Sequence, residues 1–165
     1  ISSHYLERFY LKQVTNQMLE SLEAVSIPFE IQGASPFRWC IALPEQETVR
    51  YTVIGIDGKV LCDTQKNAEE MDNHNGRPEI IQADKEGWGK AIRNSATVNR
   101  DLLYVALKVA KAKDGPVYVR KALDLKMLNN ALKVVDSSVF ALLLPLFLYI
   151  FQNSLHIPQR DFRQI

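Results

Sequence analysis

Residues 50–63 constrain the fold most, because two-residue alternation of this kind suits a half-buried strand. Thr52, Ile54 and Ile56 alternate with Tyr51, Val53 and Gly55, Asp57-Gly58 supplies a tight turn, and Lys59–Cys62 returns. The segment predicts a β-hairpin. Further candidate strands lie at Gly89–Ser95, Leu102–Val109 and Pro116–Ala122, separated by Asn99-Arg100 and Lys113-Asp114-Gly115. Ahead of the hairpin, Leu11, Val14, Met18, Leu22 and Val25 form a stripe at helical spacing, predicting an amphipathic helix over 4–25 that Pro28 ends. Ser35-Pro36 reads as an N-cap and first helical residue, opening a short helix through Trp39, Cys40 and Leu43 that Pro44 stops. Residues 65–76 are polar and turn-rich, and Pro78 opens another short helix over Glu79–Lys85. A last helix is expected from near Asp124. The order of helices and strands describes an α+β domain around an antiparallel sheet.

At 165 residues the chain suits one domain, and 47% hydrophobic with 24% charged residues excludes wholesale disorder. A net charge of +1 excludes a strongly electrostatic nucleic-acid binder. That sum conceals an asymmetry: residues 1–86 carry 8 basic and 14 acidic groups, residues 87–136 carry 10 and 4. It also conceals the run Val139–Phe151 (VFALLLPLFLYIF), thirteen residues with no polar side-chain group except the Tyr149 hydroxyl. As a helix it spans roughly 20 Å against a hydrocarbon core of ~30 Å, a length that ordinarily suits a buried core helix. Two features favour a membrane span instead. The run is apolar on every face, and Phe147, Tyr149 and Phe151 gather near its end as interfacial aromatics do. Extension back through Val134 lengthens it to 18 residues. Lys126 and Lys133 before it and Arg160 and Arg163 after it leave the orientation open. The chain begins at Ile1 and shows no signal-peptide pattern, so we expect a piece of a longer protein.

Enzyme signatures are missing: no GxGxxG, GxxxxGK[ST], HExxH, GxSxG or CxxC occurs. No catalytic residue, metal site or cofactor is expected. His4, His74 and His156 are far apart in sequence, and His4 is followed by Tyr5, where a phospho-accepting histidine box needs an acidic residue. Cys40 and Cys62 either form a disulfide, closing a loop worth about 3 kcal/mol, or Cys62 is a buried free thiol beside Val60. The segment Met71–Ile80 (MDNHNGRPEI) reads as a turn before a capped helix, or as a place where His74 and Arg77 donate to an anionic or polar ligand. Lys108, Lys111, Lys113, Arg120 and Lys121 form a basic cluster, either a solvated face or a rest for anionic head groups.

The motifs Tyr51-Thr52-Val53-Ile54, Asp57-Gly58-Lys59-Val60-Leu61-Cys62-Asp63-Thr64, Met71-Asp72-Asn73-His74, Arg77-Pro78-Glu79-Ile80, Arg93-Asn94-Ser95 and Leu103-Tyr104-Val105-Ala106, in that order, resemble a known family. It is the extracytoplasmic sensor domain of phosphate-regulon-type sensor histidine kinases, a PAS-like (Cache-type) module inserted between two transmembrane helices. The likeness covers roughly residues 5–135; the kinase core and nucleotide-binding domain have no counterpart, and residues 28–44 depart from the family pattern. The resemblance implies a single Cache domain with a long N-terminal helix, a five-stranded antiparallel sheet and a C-terminal helix continuing into a transmembrane segment. It implies a juxtamembrane dimerisation helix over 1–27, the sensor domain over 28–125, an exit helix and membrane segment over 126–151, and a cytoplasmic tail over 152–165. Residues 1–135 would be extracytoplasmic. The implied partners are a second copy of the chain, the membrane, and an unknown small-molecule or protein signal, with no nucleic acid. The chain itself would not be an enzyme; its parent would be a histidine kinase. The alternatives are a chemoreceptor or diguanylate cyclase sensor of the same architecture, and a membrane-anchored module that docks a protein partner and senses no solute. In PAS-like folds a ligand sits between the sheet and the helical segment before it, which nominates His74, Arg77, Trp88, Arg93 and Tyr104 as ligand-binding candidates.

Overall fold

The predicted apolar stripe lies on helix α1, Ser3–Ile31, with Val14, Met18 and Leu22 buried along it. The computed structural model describes residues 3–31, 35–43, 49–95, 100–112, 115–126, 130 and 141–146. Pro28, expected to end α1, sits inside it. An internal proline costs about 3 kcal/mol through its missing donor and the crowding of the preceding turn. Local packing offsets this. Phe29 is 1% exposed with its ring 5.3 Å from that of Trp39, a burial worth about 1.5–3 kcal/mol. Trp39 Nε1 also donates to the Val25 carbonyl, in the turn that the proline disturbs, at 2.6 Å.

Helix α2, Pro36–Ala42, begins as predicted, with the Ser35 hydroxyl accepting from the Arg38 amide. Strands β1 (Val49–Gly55) and β2 (Val60–Asp63) form the predicted hairpin. Gly58 takes a φ of +82° at its turn, a conformation that side chains with a Cβ rarely adopt. The tip is gripped from outside. Asn73 and Asn75 each donate a side-chain amide to the Asp57 carbonyl at 2.9 Å, and the His74 amide donates to the Gly58 carbonyl at 2.8 Å. The polar stretch before Pro78 is therefore a clamp on the hairpin, and includes one 3-10 turn at Ala68–Glu70.

Helix α3, Pro78–Glu86, precedes strands β3 (Trp88–Ser95), β4 (Arg100–Val109) and β5 (Val117–Asp124). The five strands pair antiparallel in the order β2-β1-β5-β4-β3. The register sorts side chains onto two faces. Val53, Leu103, Val105 and Val119 share one face, all 1% exposed or less, and this face packs against α1. Ile54, Ala106 and Tyr118 share the other, clustering with Val60 and with Ile80 and Ala83 of α3. Helix α3 lies very close to β3 at Gly89, where any Cβ would come within 2.8 Å of the Ala83 amide nitrogen. The architecture is α+β, with a long N-terminal helix and a five-stranded antiparallel sheet.

Strand β5 runs to Asp124, beyond its predicted end at Ala122, because Asp124 pairs in register with Leu102. The helix expected from Asp124 is helical at 125, 126 and 130, and otherwise lies outside the described residues. The chain divides into two units, Ile1–Leu125 and Lys126–Ile165. Of the apolar run 139–151, residues 141–146 are described; they are helical, with Leu142, Leu143, Leu144 and Leu146 exposed. The rest of the run lies outside the described residues. Among the described residues, no helix is long and apolar enough to cross a membrane.

Candidate functional site

The face of the sheet that meets α3 is apolar at the hairpin end and charged toward the other, and the charges form one connected network. Pro78 places Glu79 in the first turn of α3, where the helix dipole favours a carboxylate. Glu79 is fully buried, and its Oε1 accepts from Arg93 Nη2 of β3 at 3.1 Å and from Arg120 Nη1 of β5 at 3.2 Å. Arg120, 2% exposed, donates Nη2 to Thr52 Oγ1 of β1 at 3.1 Å. Thr52 donates onward to Asp63 Oδ2 of β2 at 2.7 Å, and Arg50 Nε binds both Asp63 oxygens at 2.9 and 3.0 Å. Strand β4 contributes Tyr104, whose ring centroid lies 3.9 Å from the Arg93 guanidinium carbon and 5.0 Å from that of Arg120. Two guanidinium groups at such distances from one aromatic ring gain cation–π attraction as well as ion pairing.

Arg50, His74, Arg77, Arg93, Tyr104 and Arg120 line a cavity of about 180 Å³. Burial, with the Arg120 charge next, lowers the His74 pKa to about 4 despite a hydrogen bond to the Asp72 carbonyl. Nδ1 lies 2.7 Å from that carbonyl oxygen, so the neutral ring carries its proton on Nδ1. Burial alone would raise the Glu79 carboxyl; the Arg93 hydrogen bond and the Arg120 charge outweigh it and hold the group below the usual carboxylate range. Burial likewise lowers Arg120, against the pull of Glu79, to about 10, which leaves it charged at neutral pH.

Four of the five nominated residues, His74, Arg77, Arg93 and Tyr104, therefore meet at one cavity. Trp88 does not. It stands five residues before Arg93 on β3, an odd interval that puts the two side chains on opposite faces, and it lines a groove with Phe9 and Thr15 of α1. Sequence reasoning missed Arg50, Thr52, Asp63, Glu79 and Arg120. The signal was present for Arg120, which strand alternation puts on the same face as the apolar Tyr118 and Ala122 and opposite to Lys121, and for Arg50, which shares a strand face with Thr52.

The expected basic cluster does not hold as one patch. Arg120 faces the cavity, Lys121 is on the α1 face with Nζ donating to Ser21 Oγ at 3.0 Å, and Lys108 pairs with Asp84 at 2.8 Å. Lys111 is exposed, and Lys113 lies outside the described residues. Cys40 and Cys62 are joined in a disulfide that ties α2 to β2. Among the described residues no group of three or more His, Cys, Asp or Glu side chains could hold a metal ion. Guanidinium donors around an aromatic face suit the binding of an anionic or polar group. No family model and no curated protein matches the chain.

Proposed function

We propose that the chain is the extracytoplasmic sensing and transmission region of a membrane-bound two-component sensor histidine kinase, built as a PAS-like (Cache-type) domain. The observation that carries this reading is the position of the arginine-lined cavity, between the sheet and the clamp segment that leads into α3. It is the place where PAS-like folds hold a ligand. The domain acts as a homodimer through α1, whose exposed Tyr5 and Phe9 continue past the buried stripe, and residues 139–151 form the membrane segment. Signalling is a population shift: a ligand that favours one dimer arrangement biases two states. A swing from 1:99 to 99:1 requires differential affinity of about 5.5 kcal/mol, within reach of a few hydrogen bonds to charged groups.

The test is a chimera in which this chain replaces the input region of a membrane sensor kinase. Arg77→Ala and Tyr104→Ala are expected to change autophosphorylation. Unchanged output from both variants, at wild-type levels of protein in the membrane, contradicts the reading. A second reading, a membrane-anchored module that docks a protein partner, is favoured by Phe37 and Ile41 of α2, 67% and 68% exposed. In that case Phe37→Ser alters output and the cavity variants do not. A chemoreceptor or diguanylate cyclase sensor has the same input architecture, and the coding sequence following Ile165 in the parent gene separates these outputs.

A further inference from the structure

We propose that the cavity beside α3 binds a small oxyanion, either a carboxylate or a tetrahedral oxyanion, through Arg77 and the guanidinium groups of Arg93 and Arg120 set around Tyr104. The inference deepens the sensor reading and relies on it only for the consequence of binding.

Charge is the first argument. Arg50, Lys66, Arg77, Arg93 and Arg120 line the cavity, opposed by Glu70 and Asp72 on the same lining and by Asp63 and Glu79 behind it. Lys66, Glu70 and Asp72 are exposed, but behind them Arg50 is matched by Asp63 while Arg93 and Arg120 share the single carboxylate of Glu79, which leaves one largely buried cation in surplus. An uncompensated buried charge is costly, so an anion that completes the set is stabilised strongly. His74 is neutral at pH 7 and adds nothing to the count.

Unfilled donors are the second argument. Among the described residues Arg93 Nε and Arg120 Nε are buried without a hydrogen-bond partner, as is the acceptor Glu79 Oε2. Arg77 is half-buried at the start of α3, and its side chain neither caps the helix nor forms an ion pair among the described residues. Guanidinium groups are planar forks that suit carboxylate and phosphate-like oxygens.

Size is the third. A cavity of about 180 Å³ is smaller than the roughly 300–1,000 Å³ typical of sites for drug-sized ligands. It has room for a compact anion. The rings and stems of Tyr104 and Met71 on its lining give the non-polar part of such an ion a surface to rest on.

Isothermal titration calorimetry and thermal melting on the full purified chain test this, with sodium acetate, sodium succinate, inorganic phosphate and sulfate as probes and sodium chloride at matched ionic strength as control. At least one probe is expected to bind one per chain and to raise the melting temperature beyond chloride. Arg77→Ala, which removes no side-chain hydrogen bond or ion pair among the described residues, is expected to weaken that binding at least tenfold, while Lys111→Ala leaves it unchanged. Binding of acetate or succinate alone assigns a carboxylate, and binding of phosphate or sulfate alone assigns a tetrahedral ion; either supports the site. The proposal is overturned if no probe exceeds chloride, or if Arg77→Ala binds as wild type does. Chimera output that responds to Arg77→Ala while no probe binds overturns the anion and leaves the sensor reading standing. Anion binding with indifferent output does the reverse.

Discussion

Glu79 holds the two halves of the charged face together, and Glu79→Gln is the sharpest perturbation of it. The side chain is fully buried and accepts from Arg93 at 3.1 Å and Arg120 at 3.2 Å. Glutamine preserves the volume and an acceptor oxygen at the Oε1 position, yet removes the negative charge that these two guanidinium groups share. Each charge-assisted hydrogen bond contributes about 1.5–3 kcal/mol, and breaking a buried pair from one side costs about 3–5 kcal/mol. A domain of this size has about 5–15 kcal/mol in total, so the variant should lose roughly a fifth or more of its stability. Urea titration followed by the fluorescence of buried Trp39 reads the loss as a lower midpoint at unchanged slope. Asp84→Asn breaks the exposed pair with Lys108 and should move the midpoint far less, because solvent already screens that pair. A Glu79→Gln midpoint equal to wild type, or no lower than that of Asp84→Asn, refutes the reasoning.

Three further outcomes are expected. His74, at about 4 in the folded chain against 6.5 unfolded, makes the unfolded state bind the extra proton, so stability falls as pH drops through that window. The loss is about 2 kcal/mol between pH 7.5 and 5.0 by proton linkage, measured by urea titration at each pH; Glu79, also depressed, adds further loss as the pH falls through and below the usual carboxylate range. His74→Gln should flatten the upper part of that profile, and an unchanged slope contradicts it. Reduction of the Cys40–Cys62 disulfide, with a sequence separation of 22 residues, should cost about 3 kcal/mol by loop-closure entropy, read as a lower melting temperature in dithiothreitol. Gly89→Ala places a methyl against the backbone of α3 and should cost about 1–3 kcal/mol or displace the helix, seen as altered Arg93 and Glu79 resonances by NMR.

Local periodicity carried much of the fold. The alternation in 50–63, the Ser35-Pro36 start and the Gly115 break are short-range signals, and each marks an observed element or connection, whereas Arg100, expected in a break, opens β4. Pro28 misled, because its local penalty is offset by Phe29, Trp39 and the Val25 carbonyl, contacts that join residues 10 or more positions apart. The site was legible in part. His74, Arg77, Arg93 and Tyr104 were found as donors and aromatics, whereas Trp88 was included without counting strand parity. Glu79 looked like an ordinary first-turn acid; only the approach of α3 to β3 and β5 turns it into a buried counter-ion. The disulfide stood open in the sequence between two readings, because spacing alone does not say whether α2 reaches β2.

The central claim is that occupancy of the cavity is transmitted through α1. Double electron–electron resonance between spin labels at Gln17→Cys, an exposed α1 position, in the full chain reconstituted in nanodiscs measures it directly. The account predicts one dominant intersubunit distance without ligand and a shifted distribution on adding the anion that calorimetry identifies, with the shift abolished by Arg77→Ala. A distance distribution indifferent to the bound anion, or no intersubunit distance at all, contradicts it.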